Sequence, residues 1–282
     1  MTTWVLLRGL MREARHWGEF PLQFQNGVDA GNVVTLDFPG NGSLHAQTSP
    51  DSVSEMANHC RTQLKQLGYE PPYRVLALSL GAMVAVEWSR QYPAEVERMV
   101  LINTSLAPYN PFYHRLRPGN YPTLFRFLIS GSVVQREKLI LRLTSTLERG
   151  ALHRAQLLEQ WASYARSCPV TRANILRQLR AAVFYRDAPA KPETPVLLLA
   201  GQKDRLVNMK CSLALAMKWD CAIKTHPTAG HDLPLDDGFW VTQQVTEWLD
   251  SGLRQAADEV ASPLKSGPGK KIGLLENPAA RD

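Results

Sequence analysis

The chain lacks several features that define large classes of protein. Its 282 residues contain no uninterrupted apolar run of about 18 residues, so no transmembrane helix is expected. The first apolar run, Trp4–Leu7, is too short for the core of a signal peptide, and no basic segment precedes it. We therefore expect no export, and a cytoplasmic location. No Gly-rich dinucleotide fingerprint is present, and Gly40-Asn41-Gly42 is explained as a turn because no Gly-Lys-Ser or Gly-Lys-Thr follows it.

Metal-binding and disulfide signatures are also missing. The four cysteines form no Cys-x-x-Cys pair and no spacing typical of metal ligands. Buried free thiols in a reducing compartment are the expected state, and a disulfide between Cys211 and Cys221 is the open alternative. Histidines and carboxylates do not cluster at ligand spacing. The sequence therefore predicts neither a metal nor a cofactor.

Short apolar runs rich in Val, Leu and Ile are present instead. They are Trp4–Leu7, Val33–Leu36, Arg74–Leu78, Met99–Asn103 and Val196–Ala200, followed by a weaker run, Ala222–Thr225. Continuous apolar runs bounded by turn residues are typical of strands that a parallel sheet buries on both faces. Each run is therefore predicted to be a strand.

Helical patterns alternate with these runs. Ser52–Leu67 begins with Ser52 and Glu55 at capping-box spacing, and the other predicted helices are Leu80–Gln91, Cys211–Lys218 and Trp240–Leu249. Strands that alternate with helices of this size indicate βαβ units. The predicted fold class is α/β, with a mostly parallel sheet and helices on both faces.

The alternation stops between Thr104 and Pro192, where helix-like segments follow one another without a strand. They cover roughly 122–130, 132–147, 154–166 and 171–184. We predict a helical cap at residues 106–192 over the carboxyl edge of the sheet, on a core formed by residues 1–105 and 193–254. From Gln255 onward Pro, Gly, Lys and Ser dominate, so residues 255–282 are predicted to be a flexible tail.

The charge is divided unevenly between these parts. Between Ala107 and Pro192 the chain has 14 Lys and Arg against four acidic residues, a net charge of +10, whereas the rest has 18 against 22 and carries −4. The basic residues are spread over several predicted helices, so a solvated polar surface explains them better than a nucleic-acid site. The functional alternative is an acidic substrate or an acidic carrier protein.

Ser79 is the candidate nucleophile. It directly follows the predicted strand that ends at Leu78, and it precedes a good helix start, within the sequence Ala77-x-Ser79-x-Gly81. A serine on such a sharp turn needs small residues two positions before and two after it, as in the G-x-S-x-G signature. Alanine in the first small position weakens the motif, and a serine that caps the helix is the structural alternative.

Two further residues could activate a serine hydroxyl, which needs a general base and an orienting acid. Asp204 follows the predicted strand Val196–Ala200, in a loop at the sheet edge where open α/β sheets bind ligands. His231 follows the weak strand Ala222–Thr225. A solvated turn aspartate and a surface histidine are the alternatives, and His226 competes as the base.

Together these blocks resemble the α/β-hydrolase family over nearly all of residues 1 to 250. The matching blocks are Leu6-Leu7-Arg8-Gly9-Leu10, Leu36-Asp37-Phe38-Pro39-Gly40-Asn41-Gly42-Ser43, Ala77-Leu78-Ser79-Leu80-Gly81-Ala82, Leu199-Ala200-Gly201-Gln202-Lys203-Asp204 and Ala229-Gly230-His231-Asp232-Leu233-Pro234. The resemblance implies that Ser79 is the nucleophile, His231 the base and Asp204 the acid, in the family's chain order. It also implies that the backbone N–H groups of Leu10 and Leu80 form the oxyanion hole.

One residue departs from the family pattern. Arg8-Gly9 stands where the family usually has His-Gly. Arg8 could form a salt bridge with an acid, which is the expected role, or contact an anionic substrate. Tyr113 and Phe125 belong to an aromatic group of the cap that could line an acyl pocket, and packing of the cap explains them equally well.

The predicted function is a serine hydrolase that cleaves a small-molecule carboxylic ester through an acyl-enzyme. Members of the same family with an aspartate nucleophile would need Asp at position 79. The alternatives are a thioesterase or methyl esterase for acyl chains on a carrier protein, and a hydrolase-like protein that binds ligands without catalysis. Neither a nucleic-acid partner nor stable membrane insertion is expected.

Overall fold

The computed structural model describes residues 2–28, 30–129, 131–146, 151–188 and 191–261, with the helix course alone for 126–129 and 253–261. The chain divides into two compact units, Met1–Thr246 and Glu247–Asp282. The site and every contact reported below belong to the first unit. Within the described ranges, no helix has the length and apolar character needed to cross a membrane.

Six strands from the described ranges form one sheet. They are β1 (Thr3–Leu7), β2 (Asn32–Leu36), β3 (Tyr73–Leu78), β4 (Val96–Ile102), β5 (Val196–Gly201) and β6 (Ala222–His226). Their order is β2-β1-β3-β4-β5-β6, and every neighbouring pair is parallel. The predicted strands and the predicted fold class are thus confirmed.

The α-helices of the described ranges occupy the connections and the end of the chain. They are α1 (Phe20–Gly27), α2 (Val53–Gln66), α3 (Leu80–Gln91), α4 (Phe112–Arg115), α5 (Tyr121–Ile129), α6 (Val133–Thr144), α7 (Ala151–Ser167), α8 (Arg172–Phe184), α9 (Lys210–Trp219) and α10 (Leu233–Ala261). The sequence did not predict α1 and α4, since both are too short to show a helical period. Ser52 caps α2 as expected, because its side chain accepts a hydrogen bond from the Glu55 N–H.

The sheet is buried on both faces, and side chains alternate between them. Val5 and Leu7 of β1 belong to an apolar cluster that includes residues of α2, α3 and α9. Trp4 and Leu6 point to the opposite face because successive side chains of a strand alternate. There the Trp4 ring contacts Phe24 of α1, with 5.0 Å between centroids. Helices therefore cover both faces, as a doubly wound sheet requires.

Strand order reverses beside β1. The chain passes from β1 outward to β2 and then crosses to β3 on the other side of β1. In open α/β sheets the loops at the carboxyl ends of the strands separate at such a reversal and leave a crevice that binds ligands. The loop after β1 and the turn after β3 meet at this reversal, so the topology alone places Gly9 and Ser79 at a favoured position for a site.

Helices α4 to α8 fill the chain between β4 and β5. They belong to the same compact unit as the sheet, so a separate cap domain at 106–192 stays a prediction.

The last helix differs from its predicted range, Trp240–Leu249, and the flexible tail at 255–282 stays a prediction. Helix α10 begins before Trp240 and continues to Ala261, across a break in helical geometry at Asp237 (φ −153°). The segment 255–261 is helical because Gln-Ala-Ala-Asp-Glu-Val-Ala consists mainly of residues that tolerate helix well. The remainder of the predicted tail, 262–282, lies outside the described residues.

The four cysteines, Cys60, Cys168, Cys211 and Cys221, are all free. Burial raises the pKa of the Cys60 thiol to about 12, so this group stays protonated at neutral pH. Among the described residues, no group of three or more His, Cys, Asp or Glu side chains is arranged to hold a metal ion.

Candidate active site

Ser79 occupies a sharp turn between β3 and α3. Its backbone has φ 58° and ψ −114°, in a region that a non-glycine residue rarely adopts. The Ser79 N–H donates to the Ile102 carbonyl at 2.9 Å, which fixes the turn against the end of β4. The side chain makes no capping bond to α3, although Ser79 holds the N-cap position. The hydroxyl is therefore not used for capping, and the strained backbone is of the kind found at functional sites.

The turn is surrounded by close backbone contacts. A methyl group at Gly81 would lie 2.6 Å from the carbonyl oxygens of Leu7 and Arg8, so the start of α3 rests directly on the end of β1. A methyl group at Gly9 would lie 3.1 Å from Cβ of Ser79. The sequence Gly9-Leu10 thus runs alongside the nucleophile turn. This placement is compatible with oxyanion donors from Leu10 and Leu80, since Leu80 is the first residue of α3.

Asp204 and His231 form a buried hydrogen-bonded pair. His231 Nδ1 lies 2.7 Å from Asp204 Oδ2, and the two residues are 5% and 3% exposed. The other carboxylate oxygen, Oδ1, accepts the N–H groups of Leu206 at 2.7 Å and Val207 at 3.0 Å. Burial excludes the alternatives of a solvated turn aspartate and a surface histidine. The backbone bonds fix the carboxylate while it orients the imidazole.

The environment of His231 changes its proton affinity. Burial disfavours the charged imidazolium and lowers the pKa, but the charge and hydrogen bond of Asp204 raise it, and Asp232 adds to the rise. The net pKa of His231 lies above the ordinary value of 6.5. A histidine whose Nδ1 proton is held by a carboxylate keeps Nε2 free to accept a proton, which is the requirement for a general base.

His226, the competing histidine, is engaged elsewhere. Its Nδ1 accepts the Ala229 N–H at 2.9 Å, and its Nε2 lies 3.2 Å from Asp237 Oδ2. The ring also contacts Trp240 edge to face, with 5.0 Å between centroids. Both ring nitrogens therefore have partners, and His226 supports the loop that carries His231.

Arg8 forms a buried ion pair beside the site. Its Nη1 and Nη2 donate to the two carboxylate oxygens of Asp232 at 3.1 and 2.6 Å, and the guanidinium lies 4.6 Å from the centroid of the Trp17 ring. Because Gly9 follows Arg8 and His231 precedes Asp232, this pair joins the loop after β1 to the histidine loop. The structure thus places Arg8 in the salt bridge that the sequence suggested.

Replacing Arg8 with methionine should move the acid limb of the pH–rate profile to higher pH. The positive charge of Arg8 lowers the pKa of His231 and the negative charge of Asp232 raises it. Loss of the guanidinium leaves an unpaired buried carboxylate, which also costs about 3–5 kcal/mol of stability. The measurements are kcat/KM against pH and a thermal melt. The double variant Arg8→Met/Asp232→Asn should reverse both changes, and an acid limb that stays in place in the single variant contradicts this prediction.

Helix α6, which lies between β4 and β5, contacts both loops of the site. Glu137 of α6 accepts from Arg12 Nη1 at 2.8 Å, and Arg12 lies in the loop after β1. At the other end of α6, the Thr144 carbonyl accepts the Asp232 N–H at 2.7 Å. The Asp236 carboxylate joins the residues that follow α6 to the histidine loop, since it accepts the Thr146 N–H at 3.1 Å and the Gly230 N–H at 2.6 Å. Helix α6 therefore supports the loop after β1 and the histidine loop from one side.

Tyr113 and Phe125, the predicted acyl-pocket residues, lie on α4 and α5 and are 48% and 65% exposed. The Tyr113 ring packs against its neighbours Phe112 and His114. Tyr109, another aromatic residue of the predicted cap, donates its hydroxyl to the Ala188 carbonyl at 3.2 Å and so serves packing. A role for Tyr113 and Phe125 in substrate binding stays a prediction.

Sequence reasoning missed one polar residue of the site, Asn103. The apolar run Met99–Asn103 predicts it as the end of a strand, but its side chain bonds to the histidine loop and to the end of β5. The signal in the sequence is a polar amide immediately after an apolar strand, at the carboxyl edge of the sheet where open α/β sheets bind ligands.

A serine on a strand-to-helix turn, with a buried His–Asp pair at the ends of later strands of a parallel sheet, defines the α/β-hydrolase class. The profile of the Alpha/beta hydrolase family matches residues 4–243, and the chain belongs to that family. The predicted family and enzyme class are confirmed.

Relatives and solved structures agree with this assignment. The chain is 27% identical over 227 residues to a protein of Cronobacter turicensis provisionally named as the carbamate hydrolase RutD, covering 75% of this chain and 76% of that protein. The 2-hydroxy-6-oxo-6-phenylhexa-2,4-dienoate hydrolase of Rhodococcus sp. strain RHA1 superimposes with a TM-score of 0.71 at 19% identity, over 87% of this chain and 89% of that one. A thermophilic esterase from Thermogutta terrifontis gives 0.69 at 19% identity, over 89% and 90%. At such identities the two structures show the fold alone.

Proposed function

We propose that the protein is a serine hydrolase that cleaves carboxylic esters through an acyl-enzyme on Ser79. The observation that carries this proposal is the buried bond of 2.7 Å between Asp204 and His231, at the sheet edge where the Ser79 turn also lies. A serine rather than an aspartate at this turn favours attack on a carbonyl carbon. The expected location in the cytoplasm stays a prediction.

Each group has a defined task in the proposed reaction. Ser79 Oγ attacks the ester carbonyl while His231 Nε2 takes its proton, and Asp204 holds the resulting imidazolium. The N–H groups of Leu10 and Leu80 stabilise the oxyanion, and loss of one such donor typically costs about 2.7–4 kcal/mol of transition-state stabilisation. His231 then protonates the leaving alkoxide. In the second half, water activated by His231 hydrolyses the acyl-enzyme.

A fluorophosphonate probe tests the proposal directly, because it labels only a serine that is activated as a nucleophile. The wild type should be labelled on the peptide that contains Ser79, and Ser79→Ala should not be labelled at all. Ser89→Ala is the matched control: Ser89 is a buried serine of α3 whose hydroxyl bonds to Thr194 at 2.6 Å. This control should be labelled like the wild type. An unlabelled wild type, or equal labelling of Ser79→Ala, supports the non-catalytic alternative.

A second candidate, hydrolysis of acyl chains on an acidic carrier protein, is favoured by a cleft of about 920 Å³ beside Asp204. Four basic side chains line it, those of Arg117, Arg154, Lys203 and Arg205. Its acidic residues already have partners: Asp204 bonds to His231, Asp236 to the Gly230 N–H and Asp237 to His226. Four basic against three acidic side chains leave the lining with a net charge of +1, and the four basic side chains can meet the charges of an acidic partner.

A substrate panel separates these candidates. It contains short p-nitrophenyl esters, carrier-bound acyl thioesters, methyl esters of carrier-bound acyl chains and, because of the Cronobacter relative, a simple carbamate. Cleavage of the short esters supports the first proposal. Cleavage of the carrier-bound substrates alone supports the second, since it shows that the partner supplies the binding energy.

A further inference from the structure

Asn103 lies between the three segments that carry Ser79, Asp204 and His231. It follows the last residue of β4 and has φ 46°, a left-handed conformation that asparagine tolerates better than most residues. Its N–H donates to the Leu199 carbonyl at 3.0 Å, so its backbone continues the pairing of β4 with β5. The residue is 2% exposed. Its amide is consequently held in one place among the catalytic segments.

The side-chain amide bonds to both neighbouring loops. Nδ2 donates to the carbonyl oxygens of Gly230 at 3.0 Å and His231 at 2.8 Å, and Oδ1 accepts the Gly201 N–H at 2.9 Å. Only a side chain with two donors and an acceptor in one plane satisfies all three groups. Because two of the partners are carbonyls and the third is an N–H, the orientation of the amide is fixed by its surroundings.

These bonds connect the two halves of the His–Asp pair. Gly201 is the last residue of β5, and its carbonyl accepts the Asp204 N–H at 3.3 Å. A methyl group at Gly201 would lie 2.3 Å from the Gly230 carbonyl oxygen, so the acid loop and the histidine loop touch at this point. The Asn103 amide bridges them where they meet. Its geometry therefore sets the separation of the Asp204 and His231 loops.

The next residue continues the connection to the nucleophile. The Thr104 hydroxyl donates to the Ser79 carbonyl at 3.1 Å. Since the Ser79 N–H bonds to the Ile102 carbonyl, the segment from Ile102 to Thr104 bonds to both sides of the nucleophile turn. One short segment at the end of β4 thus bonds to Ser79, to His231 and to Gly201, whose carbonyl accepts the Asp204 N–H.

From this geometry we infer that Asn103 is a positioning residue that fixes the His231 loop relative to Asp204 and Ser79. The inference rests on the proposed function, because it assigns a role within the same site. Asn103 has no part in the chemistry. It acts through the carbonyl of His231 and the N–H of Gly201, which keep Nδ1 of the imidazole against Asp204.

Asn103→Asp tests the inference with a side chain of the same shape. A carboxylate faces the carbonyl oxygens of Gly230 and His231 without a donor and pushes the histidine loop away. We expect kcat on the best ester to fall by about 10- to 100-fold with little change in KM, since a displacement of about 1 Å at a catalytic group costs a rate factor of this order. The low-field proton resonance of the Asp204–His231 bond should broaden or shift. Asn103→Gly, which keeps the left-handed backbone and removes the amide, should show the same pattern if the aspartate variant does not fold.

Asn110→Asp is the matched control. Asn110 is 4% exposed, and its amide likewise accepts an N–H, from Leu106 at 2.8 Å, and donates to a carbonyl, of Cys211 at 3.3 Å. It should lose stability while kcat and the low-field resonance stay near wild type. If Asn103→Asp and Asn110→Asp change kcat and the resonance equally, the inference is wrong. That result leaves the proposed function intact as long as the wild type is labelled at Ser79, whereas an unlabelled wild type removes the proposed function itself.

Discussion

Replacing Asp204 with asparagine should lower kcat on an ester substrate by about 10⁴-fold while the protein stays folded, an effect of the size known for triad enzymes. The amide oxygen of the new side chain can still accept the N–H groups of Leu206 and Val207 that now bond to Asp204 Oδ1. Its amide nitrogen, however, would donate to Nδ1 of His231. The imidazole must then carry its proton on Nε2 and cannot accept one from Ser79.

The pH profile gives a second measure of the same substitution. Burial lowers the pKa of His231, but the charge and hydrogen bond of Asp204, together with the charge of Asp232, outweigh this effect, and the pKa lies above 6.5. Only the neutral imidazole is a base, so kcat/KM of the wild type should fall as the pH drops through this raised value. Asparagine removes the main cause of the raised His231 pKa, so the remaining activity should persist to lower pH. Steady-state kinetics of both proteins across the pH range provide the comparison.

Asp237→Asn is the matched control for this prediction. Asp237 belongs to the other His–Asp pair, 3.2 Å from His226, and its Oδ1 accepts the Trp240 N–H at 3.0 Å. Asparagine at position 237 can still accept the Trp240 N–H. On a small ester the control should stay within about threefold of the wild-type rate, since Asp237 is partly exposed and contributes little energy to the pair, and His226 Nδ1 keeps its bond to the Ala229 N–H. Equal losses in the two variants would show that His226 and His231 are not distinguished as we propose.

The sequence predicted the parts of the site that have a local signature. Ser79 stands between a strand pattern and a helix pattern, and Asp204 and His231 follow strand patterns, so a short window around each residue was sufficient. The strands were predictable for the same reason, because each is a compact run of apolar residues. The position of the reversal in strand order then brings these windows to one edge of the sheet.

The supporting contacts could not be predicted in this way. Arg8 and Asp232 are 224 positions apart, and Arg12 and Glu137 are 125 apart, so no local pattern connects either pair. Asn103 was visible only as a polar residue at the end of a strand, and nothing near it in the chain shows which groups its amide meets. The start of α10 was misplaced for a different reason, since the break at Asp237 interrupts the helical period.

Gly81→Ala should destabilise the protein by about 3 kcal/mol and lower its melting temperature by about 2–4 °C for each kcal/mol, because the added methyl group overpacks a close backbone contact. The methyl would lie 2.6 Å from the carbonyl oxygens of Leu7 and Arg8 and 2.9 Å from the Leu7 carbonyl carbon. These are backbone atoms at the end of β1, so no rotation of a side chain can relieve the clash. Either α3 or the end of β1 must move.

That movement should also reduce activity, since Gly9-Leu10 follows directly on the displaced residues and borders Ser79. We expect kcat to fall by more than the loss of folded protein explains, because Leu10 would no longer lie at its distance from the oxyanion. Thermal melts and active-site titration with the fluorophosphonate probe separate the two effects. Gly119→Ala is the control: nothing lies within 4 Å of its added methyl group, so its melting temperature should stay near wild type.

The two small residues of the serine motif are therefore under different steric constraints. Ala77 lies within β3, paired in register with Leu7 and Leu101, and its methyl group is buried in the apolar cluster shared with α3. The methyl group of Ala77 fits into this cluster, so alanine can replace the glycine of the usual signature. Position 81 has no space for a methyl group, because its Cα packs against the backbone at the end of β1. A Gly81→Ala protein with the melting temperature and probe reactivity of the wild type would show that this contact does not exist, and that the turn tolerates alanine on both sides of Ser79.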